Sequence, residues 1–95
     1  MTQTYEGWTN RETWNVNLWM GNQEPLYRLV LNMLKNTKNE GDFADTLEAF
    51  LLIIWQRIND ECRTPDGLSL KPVNFAEIAE HWWEDYEDLH PGGNR

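Results

Sequence analysis

Apolar residues in this chain recur at helical spacing, and that period constrains its fold more than any single motif does. The clearest run is Leu26, Leu29, Val30 and Met33, spaced i, i+3, i+4, i+7 behind Pro25, which suits a first helical position because its missing N–H is no loss there. This helix is expected to end within Asn36 to Gly41, where Lys35 and Lys38 complement the negative end of the dipole. A further helix is read from Asp42 as its cap through Phe43, Leu47, Phe50, Leu51, Ile54 and Ile58 to about Cys62. Leu52 and Ile53 lie off its main stripe, which makes it the central helix, contacted on two sides. Near the C-terminus Asn74 is placed to cap a helix, with Glu77 three residues on, and Pro91-Gly92-Gly93 to end it.

The N-terminal stretch carries two readings. Trp14, Val16, Leu18 and Met20 alternate at period two, as a half-buried strand does, yet Thr9 and Glu12 have the spacing of a capping box and Trp14/Leu18 form an i,i+4 pair. The cap and the pair favour a helix ending near Gly21-Asn22. Residues 63–73 hold Pro65-Asp66-Gly67, a turn signal, and are read as a surface loop, extended at Leu68 to Leu70. The expectation is an all-α, compact single domain over residues 1–95 with four helices, frayed over 1–8 and 90–95.

Ninety-five residues leave room for one core and not two. Hydrophobic residues at 40% and charged residues at 25% match ordinary globular usage, so the chain should fold. Sixteen Asp and Glu against eight Lys and Arg leave a net charge of -8, which opposes direct binding to nucleic acid and favours a basic protein as partner. Cys62 is the single cysteine and has no internal disulfide partner; no signal-peptide pattern opens the chain, and a cytoplasmic location is expected. The longest apolar run, Ala49 to Trp55, falls far short of the roughly 20 residues a bilayer span needs, so no membrane is expected among its partners.

Advancing about 100° per residue from Phe75 places Ile78, Ala79, Trp82, Tyr86 and Leu89 on one stripe of the last helix, facing the core. Glu77, Glu80, Glu84, Glu87 and Asp88 fall together on the opposite side, and Asp85 sits at the stripe's edge. No Lys or Arg occurs between Lys71 and Arg95. Repulsion within pairs such as Glu80/Glu84 costs the isolated helix a few tenths of a kcal/mol, a cost that mixed signs would avoid while keeping the face soluble. From Glu77 to Asp88 the ridge runs on the order of 16 Å, long enough to stand in for a short stretch of phosphates. Trp83 lies beside it, off the core stripe, and reads as an interface anchor.

Other chemistry is poorly supplied. Glu77 and His81 share a helix face, but two ligands do not make a zinc site, and the remaining histidine, His90, stands near the chain end. Cys62 at a helix end gains nothing from the dipole, Ser69 lacks nucleophile-elbow glycines, and no Gly-rich phosphate loop is present. Neither an enzyme, a metal nor a cofactor is expected. The six tryptophans serve core packing in a small domain; base stacking would need a basic groove beside them.

From Gly7 to Tyr27 the chain reads Gly-Trp-Thr-Asn-Arg-Glu-Thr-Trp-Asn-Val-Asn-Leu-Trp-Met-Gly-Asn-Gln-Glu-Pro-Leu-Tyr. Through Trp8, Asn10, Glu12, Thr13, Trp14, Val16, Leu18, Trp19, Asn22, Leu26 and Tyr27 it resembles a family of small proteins of phages, plasmids and their microbial hosts. The resemblance implies an origin among mobile elements and carries over no activity and no catalytic residue. Asn10 and Asn22 are expected to satisfy backbone groups at helix ends. Together these features lead to an acidic inhibitor of a basic nucleic-acid-binding host defence protein, a CRISPR effector or a restriction enzyme. Its contact residues are Glu77, Glu80, Trp83, Glu84, Asp85, Glu87 and Asp88. The rival is a non-enzymatic accessory or assembly protein with an aromatic interface around Trp83, Trp8 or Tyr5, which includes a homodimer. A third reading, a structural protein, predicts those acids scattered around the molecule or neutralised by Arg28, Arg57 or Arg63.

Overall fold

The computed structural model describes residues 5–55, 57–58 and 61–86, the pair 57–58 by backbone alone. Among these residues four helices carry the fold: α1 (Arg11–Asn22), α2 (Glu24–Asn36), α3 (Glu40–Ile54) and α4 (Phe75–Asp85). Two short strands, β1 (Arg57–Ile58) and β2 (Glu61–Cys62), pair antiparallel between α3 and α4, with Arg57 opposite Cys62 and Ile58 opposite Glu61. The architecture is all-α, and no helix among the described residues is long and apolar enough to cross a membrane.

Residues 5–8 are held in a tight turn rather than frayed. Tyr5 and Trp8 exchange both backbone hydrogen bonds, at 2.7 and 2.8 Å, around Glu6 and Gly7, whose φ of 53° and 88° match a two-residue hairpin turn. The Tyr5 ring then meets Trp14 edge-on at 4.9 Å.

Helix α1 is capped one residue later than the Thr9/Glu12 box implies. Asn10, in an extended conformation, accepts from the Thr13 N–H at 2.8 Å, and its own amide donates to the Pro72 carbonyl at 2.8 Å. Asparagine serves here because it offers both an acceptor for the helix and a donor for a distant segment, which threonine cannot supply in one group. The buried face of α1 is Thr13, Val16 and Met20, while Trp14 is half-buried and Leu18 exposed. Gln23 alone separates α1 from α2: its N–H closes the first helix on the Trp19 carbonyl and its carbonyl opens the second toward the Tyr27 N–H. Pro25 takes the second helical position of α2, still within the turn whose donors have no intrahelical acceptor.

The inner face of α2 is Leu26, Val30 and Leu34, with Leu29 largely in solvent. Asn39, not Asp42, caps α3: it accepts from the Asp42 N–H at 2.8 Å while the Asp42 carboxylate accepts from the Lys38 N–H at 3.0 Å. Phe43, Leu47 and Leu51 are fully buried, so α3 fills the centre between α2 and α4. Leu52 and Ile53 take no part in this; both are exposed, Ile53 at 81%.

The sequence reading carried α3 to Cys62, and the chain leaves the helix at Ile54 instead. Trp55 is extended at φ -95°, ψ 143°, and the hairpin follows. Ile54 and Ile58 keep helical spacing, but Asn59 and Asp60, the two residues between the strands, are turn formers that compete with helix. Residues 63–73 are less of a surface loop than their composition suggests: Thr64, Leu70 and Val73 are buried, and Gly67, at φ 88°, turns the chain so that Arg63 bridges to Ser69. Helix α4 begins as expected, Asn74 accepting from the Glu77 N–H at 3.0 Å, and ends at Asp85. The expected stop at Pro91-Gly92-Gly93 and the fraying of 1–4 and 90–95 lie outside the described residues.

Candidate functional site

The start of α4 is tied to the start of α1. Thr13, fully buried, donates its hydroxyl to Asn10 Oδ1 at 2.6 Å and accepts from the Asn74 N–H at 2.9 Å, so one side chain joins both caps. One turn on, Glu77 Oε1 accepts from the Thr9 N–H at 3.1 Å. Glu77 is thereby engaged within the protein, instead of reaching back to its own helix cap.

Phe75, Ile78, Ala79 and Trp82 form the buried stripe of α4, as the period predicts, with Tyr86 half-buried at the C-cap and Leu89 outside the described residues; the Trp82 indole N–H donates to Asn17 Oδ1 at 2.6 Å. Glu80, Glu84 and Asp85 are exposed. Trp83 is half-buried, its ring 6.5 Å from that of Phe43, so part of its surface belongs to the core and part to the outside. Glu87 and Asp88 lie outside the described residues. Among the described residues the ion pairs are Arg28–Glu24 at 2.6 Å and Arg63–Glu61 at 3.1 Å. Among the described residues no acid of α4 has a cation within that reach; of the three arginines that were candidates to neutralise the ridge, Arg28 and Arg63 are spent on other carboxylates, and the Arg57 side chain lies outside the described residues.

A second group of acids, which the sequence reading did not anticipate, stands on α3 near the start of α4. Asp45 and Glu48 are exposed and line, with Glu61 and Lys71, a cavity of about 610 Å³ that reaches Phe75 and Ala76 at the start of α4. The signal was present, since Asp45 and Glu48 are three apart on one helix face, but their neighbourhood with α4 depends on how the helices pack. Within this cavity the Ser69 hydroxyl donates to Glu61 and holds its carboxyl below the usual range, aided by Arg63 and Lys71 and opposed by burial. Cys62, read as a helix end, stands instead in β2; it is buried, with its thiol 3.5 Å from the Leu52 carbonyl and no histidine against it among the described contacts. His81 is exposed, and its ring packs on Trp8 at 4.5 Å.

On the far side of α4, Trp8, Tyr27, Trp82 and Tyr86 line a second cleft of about 420 Å³, with Asn17 and Asp85. Tyr27 and Tyr86 place their hydroxyls 3.4 Å apart, and this hydrogen bond, with burial and the nearby Asp85 charge, pushes the Tyr86 phenol up to about 12. Among the described residues no group of three or more His, Cys, Asp or Glu side chains is arranged to hold a metal ion. The chemistry on offer is electrostatic and aromatic.

A family model described as a family of unknown function, DUF7249, matches residues 1–88. The chain belongs to this family. The DUF7249 match takes in all four helices, so the N-terminal motif and the acid-bearing α4 fall within one family unit. No curated protein and no solved structure matches the chain.

Proposed function

We propose that this DUF7249 member is an acidic inhibitor, of phage or other mobile-element origin, that occupies the nucleic-acid cleft of a host defence protein by charge mimicry. One observation carries the reading: Glu80, Glu84 and Asp85 are exposed on α4 with no cation from their own chain in ion-pair distance among the described residues. Glu80 and Glu84 are one helical turn apart, so their carboxylates share a face with Cβ atoms about 6 Å from each other. Asp45 and Glu48 add exposed negative charge on α3. A partner whose Arg and Lys line a groove for phosphates meets acids on a rigid helix at no folding cost to either side. CRISPR effectors and restriction enzymes have such grooves. The net charge of -8 steers the encounter, so association is fast at low salt and slows as salt rises.

The test is capture of the partner from a host lysate at low and high salt, then binding kinetics and nuclease inhibition with Glu80→Gln, Glu84→Gln and Glu87→Gln combined. Association at least about tenfold slower, with the fold intact, supports mimicry. An unchanged association rate, or inhibition retained in full, removes it.

A second reading, an accessory or assembly protein acting through an apolar interface, is favoured by Leu52, Ile53 and Ile54, exposed at 42%, 81% and 43% at the end of α3. It replaces the expected aromatic contact with an aliphatic one. Partner affinity lost on Ile53→Glu and indifferent to salt decides for it.

A further inference from the structure

Trp8 and Tyr27 stand at opposite ends of the N-terminal motif, and nothing in the acidic-face reading uses them. They come together with the end of α4. Trp8 closes the hairpin turn, Tyr27 sits in α2, Trp82 lies in the last turn of α4 and Tyr86 is its C-cap, yet the four rings line one cleft of about 420 Å³.

Their arrangement leaves ring surface for a guest. Tyr27 meets Trp82 at 5.9 Å and 56° and Tyr86 at 6.5 Å and 69°, while Trp82 and Tyr86 lie 5.2 Å apart at 27°. Tyr27 therefore stands as a wall across the other two rather than stacking on them. His81 covers part of Trp8. Trp82 is 6% exposed and forms the floor, fixed by its bond to Asn17. Asp85 adds a carboxylate that is exposed and has no ion-pair partner among the described residues.

Aromatic faces attract cations through the ring quadrupole, and a neighbouring carboxylate adds charge and an acceptor. A nucleobase also stacks on such rings, but its phosphates would meet Asp85 and a chain of net charge -8. The cleft of about 420 Å³ lies toward the low end for ligand pockets and has room for a side-chain head group or a small cation. Among organic cations, a planar guanidinium can lie against a ring while its N–H fork faces a carboxylate, and it sheds water more readily than an ammonium.

We propose that the cleft of Trp8, Tyr27, Trp82, Tyr86 and Asp85 binds an alkylguanidinium group, stacked on the rings and paired with Asp85. The site shares Asp85 with the acidic face but does not depend on which partner that face meets. The guanidinium comes either from a free small molecule or from an arginine side chain.

The experiment is a titration of the full, ¹⁵N-labelled chain, following the indole N–H signals of Trp8 and Trp82. N-acetyl-arginine amide shifts both signals saturably, and N-acetyl-citrulline amide, the same shape without charge, moves neither. Asp85→Asn weakens binding at least about fivefold, whereas Glu40→Gln, which removes one charge from the first turn of α3, leaves it unchanged. Because Asp85 is exposed, its variant keeps the fold, and far-UV circular dichroism verifies this. N-Butylguanidinium, which carries the same single charge, binding about tenfold tighter than blocked arginine identifies a free cation as the guest; the reverse identifies a protein side chain. Absence of saturable shifts at both indoles, equal binding of citrulline, or unchanged affinity in Asp85→Asn overturns the proposal.

Discussion

Replacing Thr13 by valine keeps the shape of a fully buried side chain and removes the hydroxyl that joins the caps of α1 and α4. The Asn74 N–H then has no acceptor, which costs about 1–3 kcal/mol for a buried donor, and less here because Asn74 is half-buried. Asn10 Oδ1 loses one donor and keeps the Thr13 N–H at 2.8 Å, a smaller loss of about 0.5–1.5 kcal/mol. The expected destabilisation is about 2 kcal/mol in all, a large share of the roughly 5–15 kcal/mol that holds a domain folded. In a chain of this length it lowers Tm by about 8–16 °C. Thr13→Ser retains the hydroxyl and loses one methyl group, at about 1 kcal/mol. Urea unfolding followed by far-UV circular dichroism measures both, with an unchanged m-value confirming that the folded state is what changed. Wild-type stability in Thr13→Val, or a serine variant weaker than the valine one, refutes the claim that this hydroxyl couples the helices.

Asp66 accepts from Asn15 Nδ2 at 2.7 Å and from Trp19 Nε1 at 3.0 Å, bonds that hold its carboxyl below the ordinary range. A depressed folded pKa contributes stability that is full above the unfolded value near 4 and is lost as pH falls through the folded one; the stability gap between wild type and Asp66→Asn should shrink over that acid window, and a gap independent of pH contradicts it. Leu47→Ala should cost about 2–5 kcal/mol and Ile53→Gln less than about 0.5, since the first is fully buried and the second 81% exposed. A larger loss at Ile53 in thermal unfolding means that its face is covered in solution. The Cys62 thiol, buried behind Leu52, should react with a disulfide reagent at least about tenfold more slowly in the native protein than in urea, and equal rates argue against its burial.

Local rules made several elements legible. Leu26 and Val30 behind Pro25, and Asn74 ahead of Phe75, Ile78, Ala79 and Trp82, depend on periodicity and capping within one helix, and those decide them. The end of α3 was not legible, because Ile54 and Ile58 continue a helical spacing past Trp55, where the backbone is already extended. In α1 the Trp14/Leu18 pair marks a helix, but not its inner face: beside Val16 and Met20 the structure buries the polar Thr13 and Asn15. Polar residues enter a core when partners await them, and these partners lie 61 and 51 positions away. The same distinction governs the site. Glu80, Glu84 and Asp85 share one helix and were visible as a set, but only helix packing brings Asp45 and Glu48 to the start of α4, and the ring cleft draws on three separated segments.

Four polar side chains near the start of the chain find their partners close to its end: Asn10 with Pro72, Thr13 with Asn74, Asn15 with Asp66 and Asn17 with Trp82. During synthesis, therefore, these side chains of the N-terminal segment cannot make their long-range bonds until the last third of the chain has emerged from the ribosome. A product cut short after α3 is not a smaller edition of the protein. It is a chain whose signature segment has no place to dock, and proteases would remove it.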